Sequence, residues 1–141
     1  MLACLLVTAC QGQTVQVDAY PTVRGSSVDC IGMLGDLPPK VAGQSSRRVA
    51  GDLAGAWGDP AIVLRCGVEK PDALRPDSEC HDVNGVGWLA EKQPDGWLFT
   101  TIGRKLYISL EVPAEYNPAA DALADVADLV ARHVPVVKPC V

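Results

Sequence analysis

Residues 57–68, Trp57-Gly58-Asp59-Pro60-Ala61-Ile62-Val63-Leu64-Arg65-Cys66-Gly67-Val68, decide how the rest of the chain is organised. Asp59-Pro60 marks a turn, because proline fixes its own φ and drives the residue before it out of the helical region. Four apolar residues then run without a polar break. A short apolar run with Gly before and after it predicts a central strand buried on both faces. Arg65 is the exception within it, since a charge at the end of a buried strand requires a carboxylate or carbonyl partner. Cys66 stands where a covalent tie can be made.

Around this strand the composition describes one domain. The chain has 141 residues, 48% of them hydrophobic, enough for a real core and too many for a disordered tail. With Gly 13 and Pro 11, short elements joined by many loops are expected rather than a helix bundle. The net charge of -5 argues against a nucleic-acid partner, whose phosphates demand a basic face. Arg47-Arg48 is too small a cluster to read an anionic membrane electrostatically, so any membrane attachment has to be covalent or apolar.

The N-terminus offers a covalent one. Met1 to Cys10 reads MLACLLVTAC, and Val7-Thr8-Ala9-Cys10 fits a lipobox, in which small residues precede a Cys that becomes acylated. Leu5, Leu6 and Val7 belong to the apolar region of a signal peptide, far too short to span a bilayer. Such a peptide opens with Lys or Arg, and none stands here, which predicts a natural start upstream of Met1. The expected division is a signal-peptide remnant over residues 1–9, a lipidated Cys and tether over 10–14, and a single domain over 15–141. The expected localisation is extracytoplasmic, on the outer face of the cytoplasmic membrane, anchored through Cys10.

Of six cysteines, Cys4 falls in the removed segment and Cys10 carries lipid, leaving Cys30, Cys66, Cys80 and Cys140. An even set in an exported domain predicts disulfides, and four cysteines allow three pairings. Cys66–Cys80 and Cys30–Cys140 are the expected ones, each stabilising by about 3–4 kcal/mol. A zinc site from Cys66, Cys80, His81 and Cys140 lacks a C-x2-C pair, so no metal and no other cofactor is expected.

Val15 to Ala19 alternates and predicts a first strand. Ser27 or Asp29 is placed to cap a short helix through about Leu37, with Ile31, Leu34 and Leu37 on its apolar face and Pro38-Pro39 ending it. Residues 40–56 carry little pattern beyond a short strand at Arg47 to Ala50. After residue 80 the chain predicts a meander. Asn84-Gly85 is a tight hairpin turn, followed by strands over Trp88–Glu91, Trp97–Ile102 and Leu106–Val112 with Pro94-Asp95-Gly96 between the first two. In the last strand Ile108, Leu110 and Val112 share one face and Tyr107, Ser109 and Glu111 the other. Asn117-Pro118 is expected to open a helix whose stripe is Leu123, Val126, Ala127, Val130 and Val134. The class is α+β: an antiparallel sheet of about four to six short strands, two helices on one face, disulfide-stapled. A ferredoxin-like topology is one candidate.

No catalytic set assembles along the chain. Asp121, Asp125, Asp128 and Arg132 fall on a solvated helix face, and His133 suits the helix C-terminus. There is no G-x-S-x-G elbow and no phosphate-cradling glycine loop. Trp57, Trp88, Trp97 and Tyr107, with Arg65, are the candidate binding surface; core packing is the alternative for the aromatics.

The run Trp57 to Val68, then Val83-Asn84-Gly85-Val86-Gly87-Trp88, then Phe99-Thr100-Thr101-Ile102-Gly103-Arg104, resembles the actinobacterial secreted proteins grouped as domain of unknown function 3515. The likeness extends from about Cys30 to Cys140, and it implies an envelope protein, often a lipoprotein, with no assigned catalytic residues. The expected role is therefore a non-catalytic interaction or accessory module with an envelope protein partner. The alternatives are a small envelope hydrolase using Asp59, Arg65 or His81, and a small-ligand or lipid carrier.

Overall fold

A computed structural model describes residues 13–51 and 53–140. The signal remnant and Cys10 lie outside the described residues. The chain runs β1 (Val15–Gln16), α1 (Ser26–Gly35), β2 (Lys40–Val41), β3 (Gln44–Arg47), β4 (Val49–Ala50), β5 (Ala54–Trp57), β6 (Ile62–Val68), β7 (His81–Val83), β8 (Val86–Gln93), β9 (Gly96–Thr101), β10 (Tyr107–Pro113) and α2 (Ala120–His133). Eight strands form one antiparallel sheet in the order β2-β3-β5-β6-β10-β9-β8-β7, and β1 pairs in parallel with β4. The class is α+β, with more strands than the four to six expected.

β6 is the central strand that its apolar run predicts. It lies between β5 and β10, and its residues alternate between two hydrophobic clusters. Ile62, Leu64 and Cys66 pack with Trp57, Ile108, Leu110 and the helices, while Val63 packs with Val17 and Ala56 beneath the β1–β4 ribbon. An unbroken apolar run was needed because both faces are covered there. The hairpin turn at Asn84-Gly85 has φ of 50° and 83°, the left-handed geometry this dipeptide favours.

Both helices lie on the same face and touch each other. Their boundaries and faces differ from expectation. α1 starts at Ser26, before Ser27 and Asp29, and stops at Gly35. Cys30 and Met33 are its buried apolar residues, while Ile31 is 67% exposed. The reason is covalent: Cys30 is bonded to Cys66 of β6, which rotates the helix so that Cys30 points at the sheet. α2 begins at Ala120, and Asn117-Pro118 instead forms a cis turn ahead of it. Its stripe of Leu123, Val126, Ala127 and Val130 is buried as expected. Because α2 follows the last strand, it closes no β-α-β crossover, and the ferredoxin-like topology does not form.

The disulfides are Cys30–Cys66 and Cys80–Cys140, with Cα separations of 5.8 and 6.0 Å, rather than Cys66–Cys80 and Cys30–Cys140. Helix–strand packing decides this, since Cys66 points toward α1 and not toward the loop that follows β6. Oxidised cysteines point to an extracytoplasmic environment, and no helix among the described residues is long and apolar enough to cross a membrane.

Candidate functional site

The sheet has two unlike faces. Away from the helices, the pleat presents Arg65 of β6, Ser109 and Glu111 of β10, Leu98 and Thr100 of β9 and Glu91 of β8. Their register pairs Arg65 with Ser109, Ser109 with Thr100, Glu111 with Leu98, and Leu98 with Glu91. The β1–β4 ribbon covers the Val63 end of this face and leaves the remainder as a groove of about 490 Å³, walled by Tyr20 and by the chain after β6.

Arg65 is fixed within that groove. Its Nη1 donates to Glu111 Oε2 at 3.0 Å, and its guanidinium lies 5.8 Å from the centre of the Tyr20 ring. The Tyr20 hydroxyl donates to the Leu53 carbonyl at 2.8 Å and lies 3.2 Å from that of Cys66, so the ring is held independently of the arginine. A guanidinium held by a ring and a carboxylate presents fork geometry suited to recognition. The required partner for Arg65 is thus a carboxylate across the strand pair.

The remaining members of the candidate surface do not converge on Arg65. Trp57 and Trp88 are fully buried on the helix side of the sheet and take no part in a surface. Trp57 Nε1 donates to the Pro38 carbonyl at 2.8 Å, whereas Trp88 Nε1 has no hydrogen-bond partner among the described residues. Trp97 is 39% exposed, stacks on Phe99 at 6.2 Å and lines a separate groove at the β9–β10 end that shares Leu98 with the first. Tyr107 is half-buried and lines a third groove, beside the C-terminal tail. Core packing explains the two indoles because alternate residues of β5 and β8 must fill the space beneath the helices.

The hydrolase candidates are also apart. Asp59 lies in the turn between β5 and β6, and Arg65 lies beyond it on β6. His81 sits on edge strand β7, four strands from β6, or about 19 Å at ordinary strand spacing. Among the described residues the His81 side chain has only an exposed contact to Glu79 at 3.9 Å. His133 joins the helices, with Nε2 2.7 Å from Asp36 Oδ2. Of the acids on α2, Asp125 accepts from the Ala42 amide at 2.8 Å and Asp128 pairs with Arg132 at 2.9 Å. Among the described residues no group of three or more His, Cys, Asp or Glu could hold a metal ion.

Arg104 was not singled out in the sequence, where Gly103-Arg104 reads as a turn. The residue is 8% exposed, with Nη1 donating to the Val134 carbonyl at 2.6 Å and Nη2 to the Gly85 carbonyl at 3.1 Å. It thereby ties the end of α2 to the β7–β8 turn. Burial lowers its pKa from the ordinary arginine value, and the negative charge of Asp82 opposes that shift. Nothing in the sequence marks this clamp, because its burial arises only when α2 and the β7–β8 turn come together.

The fold and its grooves define a disulfide-stapled α+β domain with one covered and one open sheet face. The family model described as "Protein of unknown function (DUF3515)" matches residues 1–139, and the chain belongs to that family. Comparison with curated proteins and with solved structures finds no match.

Proposed function

We propose that this chain is a non-catalytic interaction or accessory domain of the cell envelope, held at the outer face of the cytoplasmic membrane by acyl chains on Cys10. The observation that carries it is the open sheet face, where Arg65 is locked between Tyr20 and Glu111 above the cross-strand pair Thr100–Ser109. Fixed charge at Arg65 and Glu111 and the half-buried apolar Leu98, over a floor where Thr100 and Ser109 are buried, suit recognition of a polar segment of an envelope protein. The lipobox Val7-Thr8-Ala9-Cys10 supports the anchor, and the oxidised cysteines support export.

A photocrosslinking residue placed at Leu98 in membranes is expected to give a discrete adduct, and the same residue at exposed Lys92 is not. The Arg65→Glu variant should lose the Leu98 adduct. Equal adducts at both positions, or none at Leu98, would overturn the proposed surface. The anchor is tested separately: Cys10→Ala should remove the acyl mass and release the protein from the membrane fraction, and an unchanged mass and location would refute it.

A further inference from the structure

The chain carries 12 Lys and Arg against 17 Asp and Glu. Nevertheless Lys70, Arg75, Arg104 and Lys138 all line one groove of about 430 Å³, and no carboxylate among the described residues lines it. None of these four cations has an ion pair among the described residues, whereas Arg65, Lys105 and Arg132 each do. Arg75 donates to the carbonyls of Asp72 and Leu74, and Arg104 to those of Val134 and Gly85. Neutral carbonyls take these hydrogen bonds, and Asp82 acts on Arg104 only from beyond ion-pair distance. Arg104 as a residue is only 8% exposed, so its charge is partly desolvated and a nearby anion stabilises it.

We infer that this groove binds the phosphate group of an anionic ester, with Lys70, Arg75, Arg104 and Lys138 as its cationic lining. The walls are set before any ligand arrives. The Cys80–Cys140 disulfide holds the tail against the segment before β7, and the Gly103 carbonyl accepts from the amides of Val137 at 2.7 Å and Lys138 at 2.9 Å. On the other side the Arg75 amide donates to Ser78 Oγ at 2.8 Å. Pre-set walls reduce the ordering cost of binding. The N–H groups of Arg75 and Arg104 not given to carbonyls, with the ammonium groups of Lys70 and Lys138, suit phosphate oxygens, and exposed Val137 on the rim suits an apolar remainder of the ester. Such an ester is either a soluble phosphate ester or the headgroup of an anionic lipid. Nothing in this assignment depends on the open sheet face or on the lipid anchor.

The test uses the full chain carrying Cys10→Ser, so that no acyl group contributes to binding. Glycerol phosphate is titrated while the amide resonances of Ser78, Gly103 and Lys138 are followed by NMR. Sedimentation with phosphatidylglycerol vesicles is compared with phosphatidylcholine vesicles. Saturable shifts confined to the groove identify a soluble ester; sedimentation only with the anionic vesicles identifies a headgroup. In either case Lys70→Glu with Lys138→Glu, both exposed and outside the core, should weaken binding at least tenfold while the rest of the amide spectrum is unchanged. Failure of both ligands to bind, binding that survives the double variant, or equal binding to neutral vesicles would overturn the inference.

Discussion

A Cβ at Gly103 would fall on the carbonyl oxygen of Lys138, and the residue has a φ of +71°. Gly85 has a φ of +83° with nothing within 4 Å of its Cβ position, so it isolates the conformational part of the same change. A left-handed non-glycine residue costs about 1–2 kcal/mol. Gly85→Ala should therefore lose about that much in urea unfolding, and Gly103→Ala distinctly more, because the tail carrying Cys140 must move. Equal losses would show that the tail yields freely. Tyr116 gives a second prediction at this scale. Its hydroxyl donates to the Pro60 carbonyl at 2.6 Å, and burial raises its pKa above the ordinary tyrosine value of 10.0. A raised folded pKa means that the native state retains its proton when the unfolded chain has lost it. The contribution to stability is thus complete below about pH 10 and is lost as pH rises through the folded pKa. Melting curves taken from pH 8 to 11 should fall more steeply in the native chain than in Tyr116→Phe; parallel curves would remove Tyr116 from the account. The requirement of Arg65 for a partner was legible from the sequence, because a charge within an apolar strand needs one. The groove of Arg104 was not, because its four cations are up to 68 residues apart and only folding gathers them.

For whole elements, legibility followed the strength of local chemistry. Strands β8 to β10 could be read because Asn84-Gly85 and Pro94-Asp95-Gly96 mark their turns and because Ile108, Leu110 and Val112 alternate with polar residues. Strands β2 and β3 could not, since β3 is Gln-Ser-Ser-Arg and owes its conformation to pairing with β2 and β5 rather than to its own side chains, whereas β4 falls inside the short strand expected at Arg47 to Ala50. Helix α1 shows how one covalent bond overrules a periodic pattern. Of Ile31, Leu34 and Leu37, which share a spacing, the last two pack partly buried against the core, yet Cys30 and Met33 are the fully buried residues and Ile31 is turned to solvent. Met33→Ala should therefore cost about 2–5 kcal/mol in chemical denaturation, as for other buried large-to-small changes. Ile31→Ser should stay within about 0.5 kcal/mol of the native chain. A large loss from Ile31→Ser together with a small one from Met33→Ala would mean that α1 is rotated from the orientation described.

Across the molecule, the two disulfides have different effects. Cys30–Cys66 spans 36 residues and joins α1 to the central strand, and Cys80–Cys140 spans 60 and pins the tail. Restriction of the unfolded chain alone would stabilise by about 4 kcal/mol in each case, with the longer loop ahead by about 0.5 kcal/mol. Location reverses that order. Cys30 and Cys66 are both fully buried in the main core, so replacing them removes packed sulfur and frees the helix whose only buried apolar residues are Cys30 and Met33. Cys80 and Cys140 are half-buried at the periphery, and the large sheet with α2 stays paired without them. The Cys30→Ala/Cys66→Ala variant should thus melt well below Cys80→Ala/Cys140→Ala. The second variant should keep its fold while Lys138 leaves the cationic groove and glycerol phosphate binding is lost. Calorimetry of both variants beside the phosphate titration checks the two halves together. If the peripheral pair proves the more stabilising, loop length rather than helix docking dominates, and the core does not depend on the bond between α1 and β6.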